Sequence, residues 1–286
     1  MKIGFVTCVE LGLACMQEIY DVGGTLELVI TLQDDIDRNK SGRVYLDDFC
    51  NHNHISNIVK IRNVNDIEAI QAVQDQEIDW LFIIGWSQIA REGMLNAPKS
   101  GVLGMHPTLL PKGRGRASIP WAIIKGLNQT GVTLFKLDAG VDTGPILSQH
   151  ALSISSDETA TTLYRRVAEA HKILMRSFWQ DLQNNNLNLQ EQEDELATEW
   201  PGRKPKDGAI IPIEMTCQFV DRLVRAVTHP YPGAYLDYHG IRYTIWSGAI
   251  YSSKQHTELL SINGNCLSLK LMDGYYETQD WESTPI

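Results

Sequence analysis

In the first half of the chain, short apolar runs alternate with segments whose apolar residues recur at helical spacing. The apolar runs predict strands at residues 2–8, 26–32, 58–61, 80–84, 102–105, 132–137 and 145–150. The helical spacing predicts helices at residues 11–20, 65–76, 119–125 and 157–182. Asn65 is the expected N-cap of the second helix, and Ser156 or Asp157 that of the fourth. Strands that alternate with helices predict an α/β fold with a Rossmann-like, mostly parallel sheet that has helices on both faces.

The pattern changes after residue 182. Residues 183–196 are rich in Asn, Gln and acidic side chains, and residues 200–208 (WPGRKPKDG) combine Pro, Gly and charge. A helix is then predicted at residues 213–227, followed by short apolar runs at 234–238, 241–246, 258–262 and 266–271. Asn263–Gly264 is a hairpin signal between the last two runs. We therefore predict a Rossmann-like domain at residues 1–185, a linker at 186–208, and a small β-rich domain at 209–286.

Composition narrows the class of protein. Hydrophobic residues make up 43% of the 286 residues, enough to bury a substantial core, and the formal net charge is −10. An acidic chain has no general attraction to a phosphate backbone, which argues against nucleic acid as the main partner. Five widely spaced cysteines form no CxxC pair, so neither a disulfide framework nor a zinc site is indicated. No signal peptide or bilayer-spanning stretch is evident, and we expect a cytoplasmic protein with no membrane partner.

The segment from Gly104 to Gly144 carries most of the candidate chemistry. His106 lies just past a predicted strand end, where α/β sheets build their sites. Arg114 and Arg116 lie in the Gly-rich run LLPKGRGR, and Asp142 lies in the turn DAGVDTG. A histidine titrates near neutral pH and suits proton transfer, whereas arginine suits bidentate binding of phosphate or carboxylate.

These motifs resemble the signature of folate-dependent formyltransferases. The resemblance rests on HPTLLP, GRGRA and the D-x-G-x-D-T-G turn. The runs GRGRASIPW and TGVTL are most similar to sugar N-formyltransferases, among them the domain that acts on UDP-4-amino-4-deoxy-L-arabinose. GRKPKDG, VRAVTHPYPGAY and TIWSG extend the similarity into the second half of the chain. The resemblance implies a formyltransferase domain with an OB-like second domain, N10-formyltetrahydrofolate as formyl donor, and no metal.

The resemblance also assigns roles to residues. His106 and Asp142 match the catalytic His and Asp of the family, with His106 as the acid–base group and Asp142 orienting its imidazole and stabilising the cation. In the alternative reading, His106 is a loop histidine bonded for structure and Asp142 stabilises its own turn. Inside two linked motifs we favour the catalytic reading.

Two further groups of residues are candidates for binding. By resemblance, the pterin ring would lie against Ile84, Gly85 and Trp86 on one side and the turn containing Asp138 and Gly140 on the other. Trp86 could equally be packing surface.

Arg114 and Arg116 would hold the diphosphate of a nucleotide-linked sugar, or else be loop arginines that are solvated or bonded to backbone carbonyls. The N-terminal glycines do not form the G-x-G-x-x-G fingerprint, so the sequence gives no reason to propose bound NAD.

One position departs from the family pattern. The family usually has Asn two residues before the His, where its amide polarises the formyl oxygen, and this chain has Gly104. Loss of one such donor typically costs about 2.7–4 kcal/mol in the transition state. Thr108 or Ser118 could replace it, protonated His106 could act alone, or the site could bind without catalysis. We favour the first two together because the surrounding motif is intact.

The sequence therefore predicts a transferase that formylates the amine of a small, nucleotide-linked amino sugar. Three alternatives remain: a methionyl-tRNA formyltransferase, a formyltetrahydrofolate hydrolase, and a folate- or nucleotide-binding protein without catalysis. From residue 201 onward the chain has eight Lys and Arg against nine Asp and Glu. This charge balance disfavours tRNA binding, which needs a basic surface. A homodimer is possible, since symmetric dimers are the commonest oligomers.

Overall fold

The apolar runs of the first half form one seven-stranded sheet in the computed structural model, which describes residues 1–38, 41–251 and 257–286. The sheet order is β3-β2-β1-β4-β5-β7-β8. In chain order the strands of this half are β1 (Ile3–Val6), β2 (Leu28–Leu32), β3 (Ile58–Ile61), β4 (Trp80–Ile84), β5 (Gly101–His106), the two-residue β6 (Arg114–Gly115) outside this sheet, β7 (Gln129–Lys136) and β8 (Ile146–Ser153). The pairs from β3 to β5 are parallel and β5–β7 is antiparallel, which confirms the predicted parallel-dominated α/β fold.

The strands near the middle of the sheet are mostly apolar rather than alternating. Every residue of β2, β4 and β5 is buried, as expected when both faces of a parallel sheet are covered. The helices are α1 (Glu10–Asp21), α2 (Asp47–His52), α3 (Ile67–Asp75), α4 (Glu92–Leu95), α5 (Ser118–Ile124), α6 (Ala160–Gln183) and α7 (Cys217–Val227). The short helices α2 and α4 were not predicted, because one or two turns are too few to show a helical period.

The predicted helix caps were wrong. Helix α3 follows Asp66, not Asn65, whose side chain instead accepts a hydrogen bond from the Arg91 amide. Helix α6 begins at Ala160, after Thr159, whose hydroxyl accepts a hydrogen bond from the Thr162 amide at 3.2 Å. Any Ser, Thr, Asp or Asn can cap a helix, so the sequence alone did not single out the residue that does.

The described chain forms two compact units. The first contains Met1–Gly115, Thr130–Leu152 and Arg166–Glu199, and the second contains Arg116–Gln129, Ser153–Arg165 and Trp200–Ile286. The assignment of residues 1–185, 186–208 and 209–286 to a domain, a linker and a second domain stays a prediction.

The second half of the chain is rich in antiparallel strands, as predicted. Its strands are the two-residue β9 (Glu199–Trp200), β10 (Ala234–Tyr238), β11 (Ile241–Ile245), β12 (Ala249–Tyr251), β13 (Leu260–Asn263), β14 (Cys266–Lys270), β15 (Tyr275–Thr278) and β16 (Trp281–Pro285). Strands β10 to β16 form two sheets, β10-β11-β16 and β12-β15-β14-β13. Helix α7 starts later than predicted, because the Thr216 hydroxyl caps it by accepting from the Phe219 amide. The similarity of this region to an OB barrel stays a prediction.

The hairpin between β13 and β14 turns one residue later than predicted. Asn263 pairs with Cys266, so the two turn residues are Gly264 and Asn265. Gly264 has a φ of 60°, which glycine adopts readily.

Two features bear on the class of protein. All five cysteines are free thiols, and four of them are buried. Among the residues that the structure describes, no helix is both long enough and apolar enough to cross a bilayer.

The start of α1 depends on close approach to the end of β1. A Cβ on Gly12 would lie 1.9 Å from the Thr7 hydroxyl oxygen, and Thr7 is itself fully buried. We expect Gly12→Ala to lower the free energy of unfolding by about 1–3 kcal/mol through overpacking. Urea unfolding measures this change. Gly93→Ala is the control, because Gly93 is exposed in α4 and its Cβ would meet only the tip of Ile70 at 3.2 Å. Equal stability of the two variants would contradict the packing argument.

Candidate functional site

His106 is the last residue of β5 and is buried, with 6% of its surface exposed. Its Nε2 lies 2.8 Å from the carbonyl oxygen of Gly113, in the loop that follows β5. A carbonyl oxygen only accepts hydrogen bonds, so the neutral ring carries its hydrogen on Nε2. The lone pair of the neutral ring is then on Nδ1, the nitrogen that faces Asp142. Nδ1 is therefore the atom placed to exchange protons.

Asp142 reaches His106 through a turn that folds back. Strand β7 runs antiparallel to β5, so its last residue, Lys136, lies beside Leu103 rather than His106. The turn at residues 137–145 returns Asp142 Oδ2 to 3.4 Å from His106 Nδ1. The same oxygen accepts a hydrogen bond from the Gly115 amide at 2.9 Å.

The two predicted catalytic residues thus lie together, with a difference in detail. The prediction gave Asp142 two roles, orienting the imidazole and stabilising its cation, whereas the short hydrogen bond that orients the ring is the one it donates to the Gly113 carbonyl. At 3.4 Å the Asp142 carboxylate is better placed to stabilise the ring once Nδ1 is protonated.

The turn that carries Asp142 is closed by its own residues. Asp138 Oδ1 accepts hydrogen bonds from the Gly140 amide at 3.1 Å and the Thr143 hydroxyl at 2.7 Å. A Cβ on Gly144 would lie 1.8 Å from the Lys136 carbonyl oxygen, so only glycine fits there. Asp138 and Gly140 therefore hold the shape of the turn in this structure, and their predicted role in folate binding stays a prediction.

The predicted folate-binding residues at the end of β4 lie beside the His106 strand. Ile84 pairs with Met105 and is fully buried. Gly85 has a φ of 68°, and a Cβ there would lie 2.2 Å from Val9 Cγ2. Trp86 packs against the hydrophobic core, and its indole N–H donates to Gln88 at 3.2 Å. Trp86 thus has a packing role, and ligand binding by these three residues stays a prediction.

The structure separates the two predicted substrate arginines. Arg114 is 5% exposed, and its guanidinium donates hydrogen bonds to Gln192 Oε1 at 2.8 and 3.2 Å and to Asp194 Oδ1 at 2.7 Å. Arg116 is exposed, and its stem lies near Gly202. Of the two, only Arg116 presents its side chain to solvent.

Gly104 leaves a space that a leucine fills. A Cβ on Gly104 would lie 2.5 Å from Leu137 Cδ1 and 3.3 Å from the Ile83 carbonyl oxygen. The Thr108 hydroxyl, a candidate to replace the missing amide, approaches the Gly113 carbonyl at 3.5 Å. An Asn at position 104 would therefore have to displace the Leu137 side chain.

A second histidine lies behind the first. His171 on α6 is 1% exposed, and its Nδ1 lies 2.7 Å from the Val167 carbonyl. Burial lowers the pKa of His171 to about 4, the Val167 carbonyl opposes that shift, and the nearby His106 adds to it. His171 is thus a neutral residue at neutral pH.

Sequence reasoning missed three groups that hold the site, two of which lie outside its motifs. These are the Gly113 carbonyl, the Thr198 hydroxyl, which accepts from the Gly113 amide at 2.8 Å, and the Gln192 amide. Thr198 and Gln192 lie in a polar stretch with no periodicity, and no spacing rule links them to Asp142. Among the described residues, no three His, Cys, Asp or Glu side chains are grouped to hold a metal ion.

Comparison with known proteins identifies the family of this chain. A family profile described as "Formyl transferase" matches residues 15–178, and "Formyl transferase, C-terminal domain" matches residues 203–273. The bifunctional polymyxin resistance protein ArnA of Wigglesworthia glossinidia brevipalpis is 29% identical over 222 residues, 75% of this chain and 34% of that protein. The methionyl-tRNA formyltransferase of Geobacter metallireducens is 32% identical over 183 residues, 64% of this chain and 58% of that protein. This chain thus spans about a third of the length of the Wigglesworthia protein and just under three fifths of the length of the Geobacter protein.

A solved structure has the same fold. It is an N-formyltransferase from Helicobacter canadensis in complex with folinic acid and dTDP-3-aminofucose, with a TM-score of 0.73 and 17% identity. The match covers 99% of this chain and 100% of that one.

The buried His171 makes stability depend on pH in a defined window. In the unfolded chain His171 binds a proton with a pKa near 6.5, whereas in the folded protein it stays unprotonated down to about pH 4. Its contribution to stability is present above pH 6.5 and is lost as the pH falls from 6.5 toward 4, by up to about 1.4 kcal/mol per pH unit. Urea unfolding near pH 7.5 and near pH 5 should show a smaller loss in His171→Gln than in the wild type. An identical loss in both proteins would contradict the burial of a neutral His171.

Proposed function

Since the chain belongs to the formyl transferase family, we propose that it transfers a formyl group from N10-formyltetrahydrofolate to the primary amine of a nucleotide-linked amino sugar. The observation that carries the proposal is the pairing of His106 Nδ1 with the Asp142 carboxylate at 3.4 Å. Both groups are held by backbone, His106 by the Gly113 carbonyl and Asp142 by the Gly115 amide.

The proposed reaction needs one proton acceptor and one proton donor. The amine nitrogen attacks the formyl carbon and a C–N bond forms, giving a tetrahedral intermediate. His106 takes the amine proton on Nδ1, and the Asp142 carboxylate stabilises the imidazolium. His106 then returns the proton to the departing folate nitrogen as its bond to the formyl carbon breaks. Amine and formyl donor thereby become formamide and tetrahydrofolate, with no other reactant.

The oxyanion of the intermediate requires a hydrogen-bond donor or a positive charge. Gly104 supplies no side chain, and the two ring N–H groups of protonated His106 face Gly113 and Asp142, so it is the positive charge of the ring that is left to stabilise the oxyanion. A buried cation interacts with developing negative charge more strongly than a solvated one. The reaction therefore relies more heavily on His106 than it would with Asn at position 104.

The formyl donor would bind beside the same strand ends. Trp86, which is partly exposed, would contribute apolar surface there. Ile84 is fully buried and the missing side chain of Gly85 makes room for Val9, so these two residues would offer backbone groups only. The turn of Asp138 and Gly140 would form the opposite wall. Support comes from the Helicobacter canadensis enzyme of the same fold, which was solved with folinic acid.

Two observations favour a nucleotide-linked sugar as acceptor over tRNA. The Helicobacter canadensis structure contains dTDP-3-aminofucose. From residue 201 onward, basic residues do not outnumber acidic ones, whereas a tRNA-binding domain needs a basic surface. Arg116, exposed on its loop, is the candidate for the diphosphate. Methionyl-tRNA is the second candidate acceptor, because the Geobacter metallireducens relative is a methionyl-tRNA formyltransferase.

A turnover assay tests the proposal. The protein is incubated with N10-formyltetrahydrofolate and, in turn, UDP-, dTDP-, GDP- and CMP-linked amino sugars, methionyl-tRNA, or no acceptor, and products are identified by mass spectrometry. We expect one formylated sugar. His106→Ala should lower kcat by about 100-fold or more, because it removes the acid–base group. Asp142→Asn should lower kcat with little loss of stability, because the amide oxygen can still accept from Gly115.

The exposed His52 on α2 supplies the control, and His52→Ala should keep wild-type turnover. Formylated methionyl-tRNA in place of a sugar would overturn the acceptor assignment. Release of tetrahydrofolate without acceptor would indicate a hydrolase, and folate binding without any turnover would indicate a binding protein.

Restoring the family residue at position 104 tests the role of His106 in stabilising the oxyanion. Gly104→Asn alone should cost about 1–3 kcal/mol of stability, since Leu137 occupies the space. Combining Gly104→Asn with Leu137→Ala makes room for the amide. The turnover number of this double variant should be between that of the wild type and about 100-fold higher. Leu137→Ala alone is the control. A folded double variant with lower turnover than this control would contradict the argument.

A further inference from the structure

Residues 190–198 run beside the catalytic pair within the first unit. At one end, the Gln190 and Ile146 backbones exchange two hydrogen bonds of 2.7 and 2.8 Å. At the other end, Thr198 accepts from the Gly113 amide through its hydroxyl and from the Arg114 amide through its carbonyl. Gln192 lies between these two anchored ends.

The side-chain amide of Gln192 uses all four of its hydrogen-bonding positions. Its Nε2 donates to the Asp142 carbonyl at 2.9 Å and to the Gly144 carbonyl at 2.7 Å. Its Oε1 accepts from Arg114 Nη2 at 2.8 Å and Nε at 3.2 Å. A guanidinium only donates and a carbonyl only accepts, so the amide can be oriented in one way only.

The hydrogen bonds of Gln192 hold a part of the turn whose backbone has an unfavourable conformation. Asp142 has a φ of 56°, in the left-handed region that non-glycine residues adopt rarely. Such a conformation persists when the surroundings over-determine it. The Gln192 amide fixes the Asp142 carbonyl, the Gly115 amide fixes its carboxylate, and the carboxylate thereby stays opposite His106.

We propose that Gln192, itself held by Arg114, is a positioning residue that keeps the Asp142 carboxylate opposite His106 Nδ1. The role rests on the proposed function, in which that carboxylate stabilises the imidazolium. Arg114 then acts on catalysis through Gln192 and not through the substrate. Its near-complete burial and its bonds to Gln192 and Asp194 support this assignment.

Gln192→Glu tests the proposal because it keeps the shape of the side chain and replaces the N–H donors with an acceptor. Arg114 can still donate to the carboxylate, but the Asp142 and Gly144 carbonyls lose their donor and face a negative oxygen. We expect kcat to fall about 10–100-fold, the range typical of lost supporting contacts, while KM for amine and formyl donor changes less than about threefold. Gln190→Glu makes the same change at an exposed side chain and should keep the wild-type kcat.

Arg114 separates positioning from substrate binding. Arg114→Lys keeps the charge but loses the two-pronged contact with Gln192 Oε1. The proposal predicts a lower kcat with KM for the amine unchanged, whereas an arginine that binds the diphosphate would raise KM.

An NMR measurement keeps the proposal testable if no acceptor is found. The ring carbon signals of His106 are followed against pH in the wild type, Asp142→Asn and Gln192→Glu. Gln192→Glu should move these signals away from their wild-type positions, as Asp142→Asn does, and Gln190→Glu should leave them unchanged. If Gln192→Glu fails to fold, Gln192→Met, which removes the four hydrogen bonds without adding charge, is judged by the same criteria. Wild-type kcat and wild-type titration in a folded Gln192 variant would overturn the proposal.

Discussion

The Asp142 carboxylate is the point on which the site depends. One of its oxygens accepts the Gly115 amide hydrogen at 2.9 Å and stands 3.4 Å from His106 Nδ1. This carboxylate links the turn at residues 137–145 to the end of β5. The sheet alone would leave them apart, because the last residue of β7 lies beside Leu103 and not beside His106. Everything that shapes the turn at residues 137–145 therefore acts on the chemistry, from the closed loop of Asp138 to the missing side chain of Gly144.

Polar groups in this region are buried, so each of them needs a hydrogen-bond partner for the folded state to be stable. Arg114 is nearly inaccessible, and removal of its partner would leave a buried charge unsatisfied, which costs several kcal/mol. Gln192 meets that charge with its carbonyl oxygen and turns its N–H groups to the turn of Asp142. A neutral amide thus links a buried cation to a carboxylate-bearing turn without bringing another charge into the interior. His171, held neutral by its own burial, adds no charge beside His106.

This chain belongs to the formyl transferase family, and Gly104 is the position at which its sequence departs from the N-x-H pattern described above. Leu137 fills the space that an Asn side chain would occupy, so the change at position 104 is matched by packing rather than left as a cavity. The consequence is chemical rather than structural. With the amide donor absent, the proposed reaction places both proton transfer and oxyanion stabilisation on one imidazole, and the precision of the Asp142 contact becomes correspondingly more important.

The amino-acid sequence by itself determined the sheet and the family, and it predicted which residues form the site. All seven apolar runs of the first half became strands, and those near the middle of the sheet are mostly apolar because both of their faces are buried. His106 and Asp142 were candidates because they lie in motifs of fixed spacing. The two predicted helix caps and the hairpin turn were missed by one to three residues, because several neighbours could serve equally well. Only the tertiary structure decided that Gly113 orients His106, that Arg114 faces inward, and that Gln192 reaches Asp142 across 50 positions of sequence. Those contacts depend on how loops return to the sheet, and single hydrogen bonds between distant loops leave no period or spacing in the chain from which they could be predicted.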